Sequence, residues 1–172
     1  ATWEEGEPVR FHEDRGLTVE RIWILKAAGD RLLAGVDPGA LFIGAGGGDW
    51  QEVRALTDHP TRDSWGPGAG GMMVHSICCD PANADRFYVG ISAAGTFLTE
   101  DGGVSWAPKN SGVLADFLPD KYPAVGQCVH HMEMHPEEPN TLYQQNHCGI
   151  YRSDDGGNHW IDISEGLPSR FG

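Results

Sequence analysis

The sequence predicts an all-β protein built from repeated four-stranded sheets, and three observations lead to this prediction. One motif occurs twice, at 99–106 (TEDGGVSW) and at 153–160 (SDDGGNHW). The segments ahead of it repeat too, with VHSI at 74–77 and VHHM at 129–132. Short runs rich in Val, Ile, Tyr and Phe alternate with Gly, Pro, Asn and Asp, which is typical of strands and turns. The two motif copies begin at 99 and 153, and a repeat at such a spacing indicates units stacked in a row or around an axis.

Each unit is predicted to hold four short strands in the same order. In the last unit we expect them at about 127–134, 141–146, 149–153 and 160–163, and no stretch with helical periodicity competes. An upstream unit is more divergent, because it ends in GGGDW at 46–50 and has Ala45 in place of the motif's Asp. Four antiparallel strands per unit are typical of a β-propeller blade. The predicted fold class is therefore an all-β partial β-propeller with about three blades.

The whole chain, 1–172, is predicted to be one propeller segment. The expected divisions are the end of a preceding blade at 1–16, a blade with a degenerate motif at 17–56, blades with the full motif at 72–110 and 127–165, and the start of another blade at 166–172. The ATW at 1–3 resembles the tail of a further motif. Three blades fall below the roughly four to eight of closed propellers, and an open arc would expose two apolar sheet faces. We therefore expect either part of a larger protein or a homodimer that completes the ring.

The pattern Ser/Thr-x-Asp-Gly-Gly-x-x-Trp is similar to the Asp-box, or BNR, repeat of β-propellers. That superfamily includes sialidases, xyloglucan-cleaving glycosidases, sortilin-type receptor domains and photosystem assembly factors. The resemblance implies a glycosyl-hydrolase-like propeller with its Asp boxes on the rim, away from the catalytic face. A sialidase would also need three converging arginines, a nucleophilic Tyr and an Arg-Ile-Pro signature. Here only Arg21 and Arg62 lie near the expected inner face and that signature is missing, so sialidase activity is not expected.

The residues of the two motifs are expected to stabilise the fold. A carboxylate there can accept hydrogen bonds from N–H groups of its own turn, the glycines permit positive φ, and the Trp covers the turn. A ligand or calcium role is the alternative. The residues concerned are Thr99, Asp101, Gly103 and Trp106 in one motif and Ser153, Asp155, Gly157 and Trp160 in the other.

The first strand of each unit supplies the sharpest candidate site. When the segments that begin at 19, 74 and 129 are aligned, Glu20, His75 and His130 occupy equivalent positions on three successive inner strands. Two imidazoles and a carboxylate are a recognisable metal-ligand set, and they also suit acid–base chemistry. In the alternative interpretation, the histidines hydrogen-bond water or backbone groups. No cofactor is predicted, and a divalent metal at these three residues remains a weaker alternative.

Further ligand-binding candidates lie at strand ends and in the two long connections. The run Gln144-Gln-Asn-His147 replaces the less polar GISA of the preceding unit, and Gln127 begins the same unit. The connections at 57–71 and 111–126 carry aromatic residues that can stack on a sugar and carboxylates that can act in pairs. The alternative for Trp65 is a lid packed on the core. The candidates are Gln127, Gln144, Asn146, His147, Arg62 and Trp65, with Phe117, Tyr122, Asp58, Asp63, Asp116 and Asp120 as possible platform and carboxylate residues.

Charge and cysteines limit the partners. The net charge of −13 argues against nucleic acid and anionic membrane surfaces. Cys78 and Cys79 are neighbours on a strand and point to opposite faces, whereas Cys128 and Cys148 lie on strands expected to pair. Free buried thiols are the favoured interpretation, ahead of a disulfide or metal ligands, and they slightly favour a cytoplasmic location.

Three classes of function are compatible with these residues. A non-catalytic propeller that binds a small molecule, a glycan or a protein partner ranks first, because no strong catalytic signature is present. A glycosidase acting on a neutral glycan needs only a suitably spaced carboxylate pair. A metal-dependent enzyme centred on Glu20, His75 and His130 is the third.

Overall fold

The chain forms three four-stranded antiparallel sheets, each made of strands consecutive in the sequence. The computed structural model describes residues 6–45, 48–68 and 70–171. The strands of the first sheet are β1 Arg21–Ala28, β2 Arg31–Asp37, β3 Ala40–Ala45 and β4 Gly48–Glu52. Those of the second sheet are β5 Val74–Asp80, β6 Asn83–Ile91, β7 Gly95–Thr99 and β8 Ala107–Pro108. Those of the third sheet are β9 Val129–Met134, β10 Leu142–Asn146, β11 Gly149–Ser153 and β12 Ile161–Asp162.

The predicted fold class is thereby confirmed. Each strand expected in the last unit is present close to its expected bounds. The helical elements of the described ranges are short: α1 Arg54–Thr57 and two 3-10 turns at Glu13–Arg15 and Arg62–Ser64. Within those ranges no helix is long and apolar enough to cross a membrane.

The sheets pack face to face through two apolar layers. Leu33 and Leu41 of the first sheet meet Ile77 and Phe87 of the second in one cluster. Tyr88 and Leu98 of the second sheet meet residues of the third, including Met132, Leu142 and Tyr151, in another. The first strands β1, β5 and β9 lie side by side, since β5 contacts both of the others.

The two repeated motifs form the same hydrogen-bonded turn. In the second sheet the Asp101 carboxylate accepts from Ser105 N at 2.9 Å and from the Thr99 hydroxyl at 2.8 Å. In the third sheet Asp155 accepts from His159 N at 2.9 Å and from the Ser153 hydroxyl at 2.8 Å. Both glycines of each motif have positive φ, between 70° and 100°. The carboxylates are therefore engaged by their own turns.

Each motif's Trp packs between its own sheet and the preceding one. Trp106 belongs to the cluster between the first two sheets, with its ring 5.5 Å from that of Phe87. Trp160 is 1% exposed in the cluster between the second and third sheets, and its indole N–H donates to Lys109 O of the preceding unit at 2.8 Å. These two side chains thus join the turns to the inter-sheet cores.

A second repeated contact ties each sheet to the next. Arg31 donates to Asp85 at 3.0 Å across the first pair of sheets, and Arg86 donates to Asn140 at 2.7 Å across the second pair. Arg86 also pairs with Asp80 at 2.9 Å, where both side chains are largely buried. The repeat therefore extends to polar contacts between the sheets.

The first sheet departs from the repeat. Its β3–β4 hairpin pairs Ala45 with Gly48, so Trp50 lies on a strand and its ring covers Gly44. Gly46 and Gly47 of the degenerate motif, and the ATW at 1–3, lie outside the described residues. Phe11 packs against Phe42 and covers part of this sheet's outer face. The first strand β1 remains largely exposed, with Ile22 at 46% and Leu25 at 57%.

Candidate functional site

The first strand of every sheet carries a bulge near its start, and an aromatic or imidazole ring occupies each bulge. The pairing with the second strand skips from Ile22 to Ile24 in the first sheet and from Val74 to Ser76 in the second. In the third sheet it skips from Val129 to His131. The three skipped residues are Trp23, His75 and His130. Bulges redirect side chains and are common beside functional sites.

These rings form a row across the three sheets. The ring centroids of Trp23 and His75 are 5.0 Å apart, and those of His75 and His130 are 6.2 Å apart. His147, in the turn between β10 and β11, places its ring edge-on at 4.4 Å from His130. We call Trp23, His75, His130 and His147 the ring row. Trp23 is 47% exposed and the three imidazoles are half-buried, so the row faces solvent.

Trp23, and not Glu20, is the counterpart of His75 in the first sheet. In the first sheet the pairing runs without interruption from Ile24–Gly35 to Ala28–Arg31. In the second sheet it jumps from Cys79–Phe87 to Asp80–Asn83, so that three residues of the second strand, 84–86, are left without partners in the first. The sequence repeat holds for the second strands, where Gly35 and Gly90 occupy equivalent places. Because the first hairpin has no counterpart of those three residues, the position equivalent to His75 is Trp23 and not Glu20. A bulge changes the register between paired strands, and this accounts for the correction.

Cys128 joins the row at its third-sheet end. Because Val129 pairs with Asn146, the neighbouring residues Cys128 and His147 lie opposite each other. The Cys128 sulfur is 3.5 Å from His130 Nε2. One ligand atom from each of Cys128, His130 and His147 lies within 4.8 Å of those of the other two, and all three residues are half-buried. Among the described residues this is the one such group of His, Cys, Asp or Glu, and neither Glu20 nor His75 belongs to it.

Two exposed phenylalanines flank His147. Phe117, in the long connection before the third sheet, meets it edge-on at 5.9 Å, and Phe171 stacks on it at 5.1 Å. Their exposed fractions are 50% and 71%. Phe117 and Phe171 thus extend the aromatic surface beyond the ring row.

Burial shifts the pKa of two side chains of this surface. It lowers the pKa of His75, and a hydrogen bond to the backbone of His130 partly offsets the shift. His75 is therefore neutral at pH 7. Burial also raises the pKa of Cys128, which keeps the metal-free residue a thiol.

The side chains of the three candidate amides are buried, although Gln127 and Asn146 directly precede Cys128 and His147 in the sequence. Gln127 is 0% exposed and donates to Pro123 O at 2.7 Å. Gln144 accepts from the Thr96 hydroxyl at 3.0 Å, between the second and third sheets. Asn146 accepts from Cys148 N at 2.8 Å and so shapes the turn that carries His147. Their structural surroundings place them in support of the site.

Trp65 and Arg62 pack as a lid over the first two sheets. Trp65 is 5% exposed, and its ring lies 5.0 Å from that of Phe97. The Arg62 guanidinium lies over that indole at 4.7 Å and donates to Gly39 O at 2.5 Å. Burial lowers the pKa of Arg62. Trp65 has no accessible face on which a ligand could stack.

Two of the candidate carboxylates and the other arginine are in contact with neighbouring groups. Asp58 receives a hydrogen bond from Arg15 at 2.6 Å, and Asp116 receives one from the Cys148 thiol at 3.2 Å. Arg21 pairs with Asp37 at 3.3 Å. All four cysteines are free thiols, so the alternative of a disulfide between Cys128 and Cys148 is not realised.

Sequence reasoning missed Trp23 and Cys128 as members of this surface. The signal for Cys128 was present, because Cys-x-His at 128–130 faces the turn carrying His147 once β9 and β10 pair. Trp23 could be found only by allowing for the three unpaired residues of the second hairpin, which the first hairpin lacks.

Neither a protein-family model nor a curated protein matches this sequence. Its fold is similar to those of solved structures. An ancestral GH74 enzyme is 19% identical, with a TM-score of 0.60, over 84% of this chain and 18% of its own. PorZ, a surface component of the type-IX secretion system of Porphyromonas gingivalis, is 16% identical, with a TM-score of 0.60, over 95% of this chain and 22% of its own. YCF48, in a structure bound to D1 peptide, is 16% identical, with a TM-score of 0.55, over 83% of this chain and 39% of its own.

The chain thus spans well under half of each of these proteins. At such low identity the likeness shows the fold alone. An enzyme, a secretion-system component and a peptide-bound protein all share it. The three sheets correspond to part of a β-propeller chain.

Proposed function

We propose that this chain is a non-catalytic binding segment of an Asp-box-type propeller, and that its ring row binds an extended peptide carrying Lys or Arg. The observation that carries the proposal is the row itself: four rings from three sheets, aligned on one solvent-facing surface. Because all three first strands contribute at the same bulge, the surface depends on the packing of the sheets.

The spacing of the rings suits an extended chain. Alternate residues of a β-strand are about 6.7 Å apart along the strand. The 5.0 Å and 6.2 Å steps from Trp23 through His75 to His130 are close to that spacing. Successive side chains on one face of an extended peptide could therefore each meet one ring, while its backbone groups hydrogen-bond to imidazole nitrogens.

The charge of the chain favours a basic peptide. The net charge of −13 attracts cations from solution. An exposed indole such as Trp23 is the best aromatic partner for a Lys or Arg side chain. YCF48, which has a similar fold, is itself seen bound to a peptide. These features support a peptide more than a neutral glycan.

A displayed library of random decapeptides, selected against residues 1–172, tests the proposal. Selected peptides should be enriched in Lys or Arg at alternate positions. Trp23→Ala should weaken their binding roughly 3- to 30-fold, the range expected from loss of about 0.7–2 kcal/mol of cation–π energy. Val104→Ala is the control. Val104 is also an exposed apolar residue, at 76%, but it lies in the turn after β7 and is not part of the ring row. Peptides that bind both variants as tightly as the parent chain would contradict the proposed site.

Glycoside hydrolysis is the second candidate function. The similar fold of a GH74 enzyme favours it, together with the exposed rings of Phe117 and Tyr122 beside Asp116 and Asp120 in one connection. Incubation with neutral glucan oligosaccharides, followed by measurement of new reducing ends, separates the two functions. We expect the parent chain to release no more reducing ends than an Asp116→Asn variant does. Release of reducing ends that this substitution abolishes would favour the glycosidase.

A further inference from the structure

We propose that Cys128, His130 and His147 form a zinc-binding site with one open coordination position. The zinc site does not require peptide binding, although it uses two imidazoles of the ring row, His130 and His147. The proposal rests on the side-chain geometry at the third-sheet end of that row, where Cys128 just before β9, His130 in β9 and His147 in the turn between β10 and β11 bring their ligand atoms together.

One of the three ligand–ligand distances already matches that of a metal site. With Zn–S near 2.3 Å and Zn–N near 2.0–2.1 Å, tetrahedral ligand atoms lie about 3.5 Å apart. The Cys128 sulfur and His130 Nε2 are 3.5 Å apart. The remaining atom pairs lie within 4.8 Å, and rotation of the His147 side chain can close such a gap. A single ion can therefore contact all three residues without a change in the backbone.

The donor set selects the class of metal. A thiolate with two imidazoles suits zinc, whereas the oxygen-rich sites of magnesium and calcium hold neither. Zinc takes the thiolate form of Cys, so binding forms one Zn–S bond and two Zn–N bonds and releases the thiol proton to solvent. Three protein ligands leave the fourth tetrahedral position for water or an incoming donor group.

The surroundings hold these ligands in place. The bulge in β9 and the stacked ring of His75 orient His130. Phe117 and Phe171 both pack against His147. On the other flank of Cys128, the buried residue Gln127 is bridged to Ala94 of the second sheet. Ligands held by neighbouring groups lose little entropy when a metal binds.

Zinc affinity of residues 1–172 tests the site. The reduced protein is titrated with Zn²⁺ in competition with a chromophoric zinc chelator, and Co²⁺ is added separately to detect a thiolate-to-metal charge-transfer band. We expect one tight zinc ion per chain and a cobalt band. A reductant that does not bind metals prevents formation of a Cys128–Cys148 disulfide during the titration.

Matched variants assign the ligands. Cys128→Ser should remove the cobalt band. Both Cys128→Ser and His147→Gln should weaken zinc binding more than roughly 10–100-fold, which is the loss typical of mutating a residue that only supports a metal ligand. Cys79→Ser and His131→Gln are the controls, since Cys79 is a half-buried thiol of the second sheet and His131 an exposed imidazole next to His130. Circular dichroism of each variant verifies folding. If Cys128→Ser is unstable, His147→Gln still tests the site, because it changes a turn residue outside the strands.

Either of two results would overturn the site. One is the lack of stoichiometric zinc binding by the reduced parent chain. The other is zinc affinity that Cys128→Ser and His147→Gln leave unchanged, which would assign the bound metal to other histidines of the surface.

Discussion

Trp23 and His75 occupy equivalent bulges in the first strands of neighbouring sheets, and their ring centroids are 5.0 Å apart. The sequence repeat aligns His75 with Glu20 instead. The positions of Trp23 and His75 match because the first hairpin lacks a counterpart of residues 84–86, which the register shift of the second hairpin leaves unpaired. The binding surface proposed for this chain begins at that contact and continues through His130 to His147.

The Trp residues of the repeated turns should be major contributors to stability. Trp160→Ala should lower the free energy of unfolding by about 3–5 kcal/mol, because it removes a large side chain from the layer between two sheets. Trp106→Ala should act similarly between the first two sheets. Trp23→Ala is the matched control, since its 47% exposure predicts a much smaller loss. Urea denaturation measures all three, and equal midpoints for Trp160→Ala and Trp23→Ala would contradict this role.

Asp101 should make stability depend on pH in the acid range. Hydrogen bonds from the Ser105 hydroxyl and backbone N–H, and then from Thr99, lower the pKa of Asp101 from 3.8 to about 2. Its unfolded-state pKa is higher, so the stabilisation is complete above about pH 4 and is lost as the pH falls towards 2. Asp101→Asn removes this titration. In thermal melts from pH 5 to about pH 2, the melting temperature of the parent chain should therefore fall more steeply than that of the variant. Parallel falls in the two melting temperatures would refute the stabilising role of the Asp101 carboxylate.

Gly90 should be required for the close packing of the second and third sheets. A Cβ at this position would lie 2.7 Å from Val129 Cγ1, so Gly90→Ala should cost about 1–3 kcal/mol through overpacking. Gly66→Ala is the control, because a Cβ there meets nothing within 4 Å. Adding Val129→Ala to Gly90→Ala should recover part of the loss, which a double-mutant cycle of urea midpoints measures. Strict additivity would show that the contact is not the cause.

Arg86 should stabilise the chain far more than an exposed arginine does. Its side chain and that of Asp80 are 13% and 8% exposed, so Arg86→Ala leaves a buried carboxylate without its partner at a cost of about 3 kcal/mol. Arg152 pairs with Asp154 at 2.8 Å as well, but those side chains are 43% and 54% exposed. Arg152→Ala should cost less than about 1 kcal/mol. Equal shifts in the denaturation midpoint would contradict the distinction.

The fold could be predicted from the sequence because the repeat appears at several levels. The motif turns, the alternating strands and the spacing of the units all indicate the same four-stranded sheet. The second strands keep the sequence repeat, as Gly35 and Gly90 illustrate by their equivalent packing against Val74 and Val129. Such constraints act locally and leave a trace in the sequence.

The candidate site was only partly predictable. The sequence identifies His75, His130 and His147 as candidates, but it also aligns Glu20 with the first two, because a sequence repeat does not report unpaired residues within a hairpin. For Trp65 the sequence leaves both a stacking platform and a lid open, and its burial beside Phe97 and Arg62, which makes it a lid, depends on tertiary packing. The contribution of Cys128 required knowing the register between β9 and β10, which a bulge shifts.

The most direct test of the ring row as the binding surface is imidazole NMR of residues 1–172 titrated with a selected basic peptide. We predict that ring signals of His75, His130 and His147 shift together with the Trp23 indole signal, while those of the exposed residues His12 and His159 stay fixed. Shifts confined to the latter two histidines, with the ring row unchanged, would contradict the account.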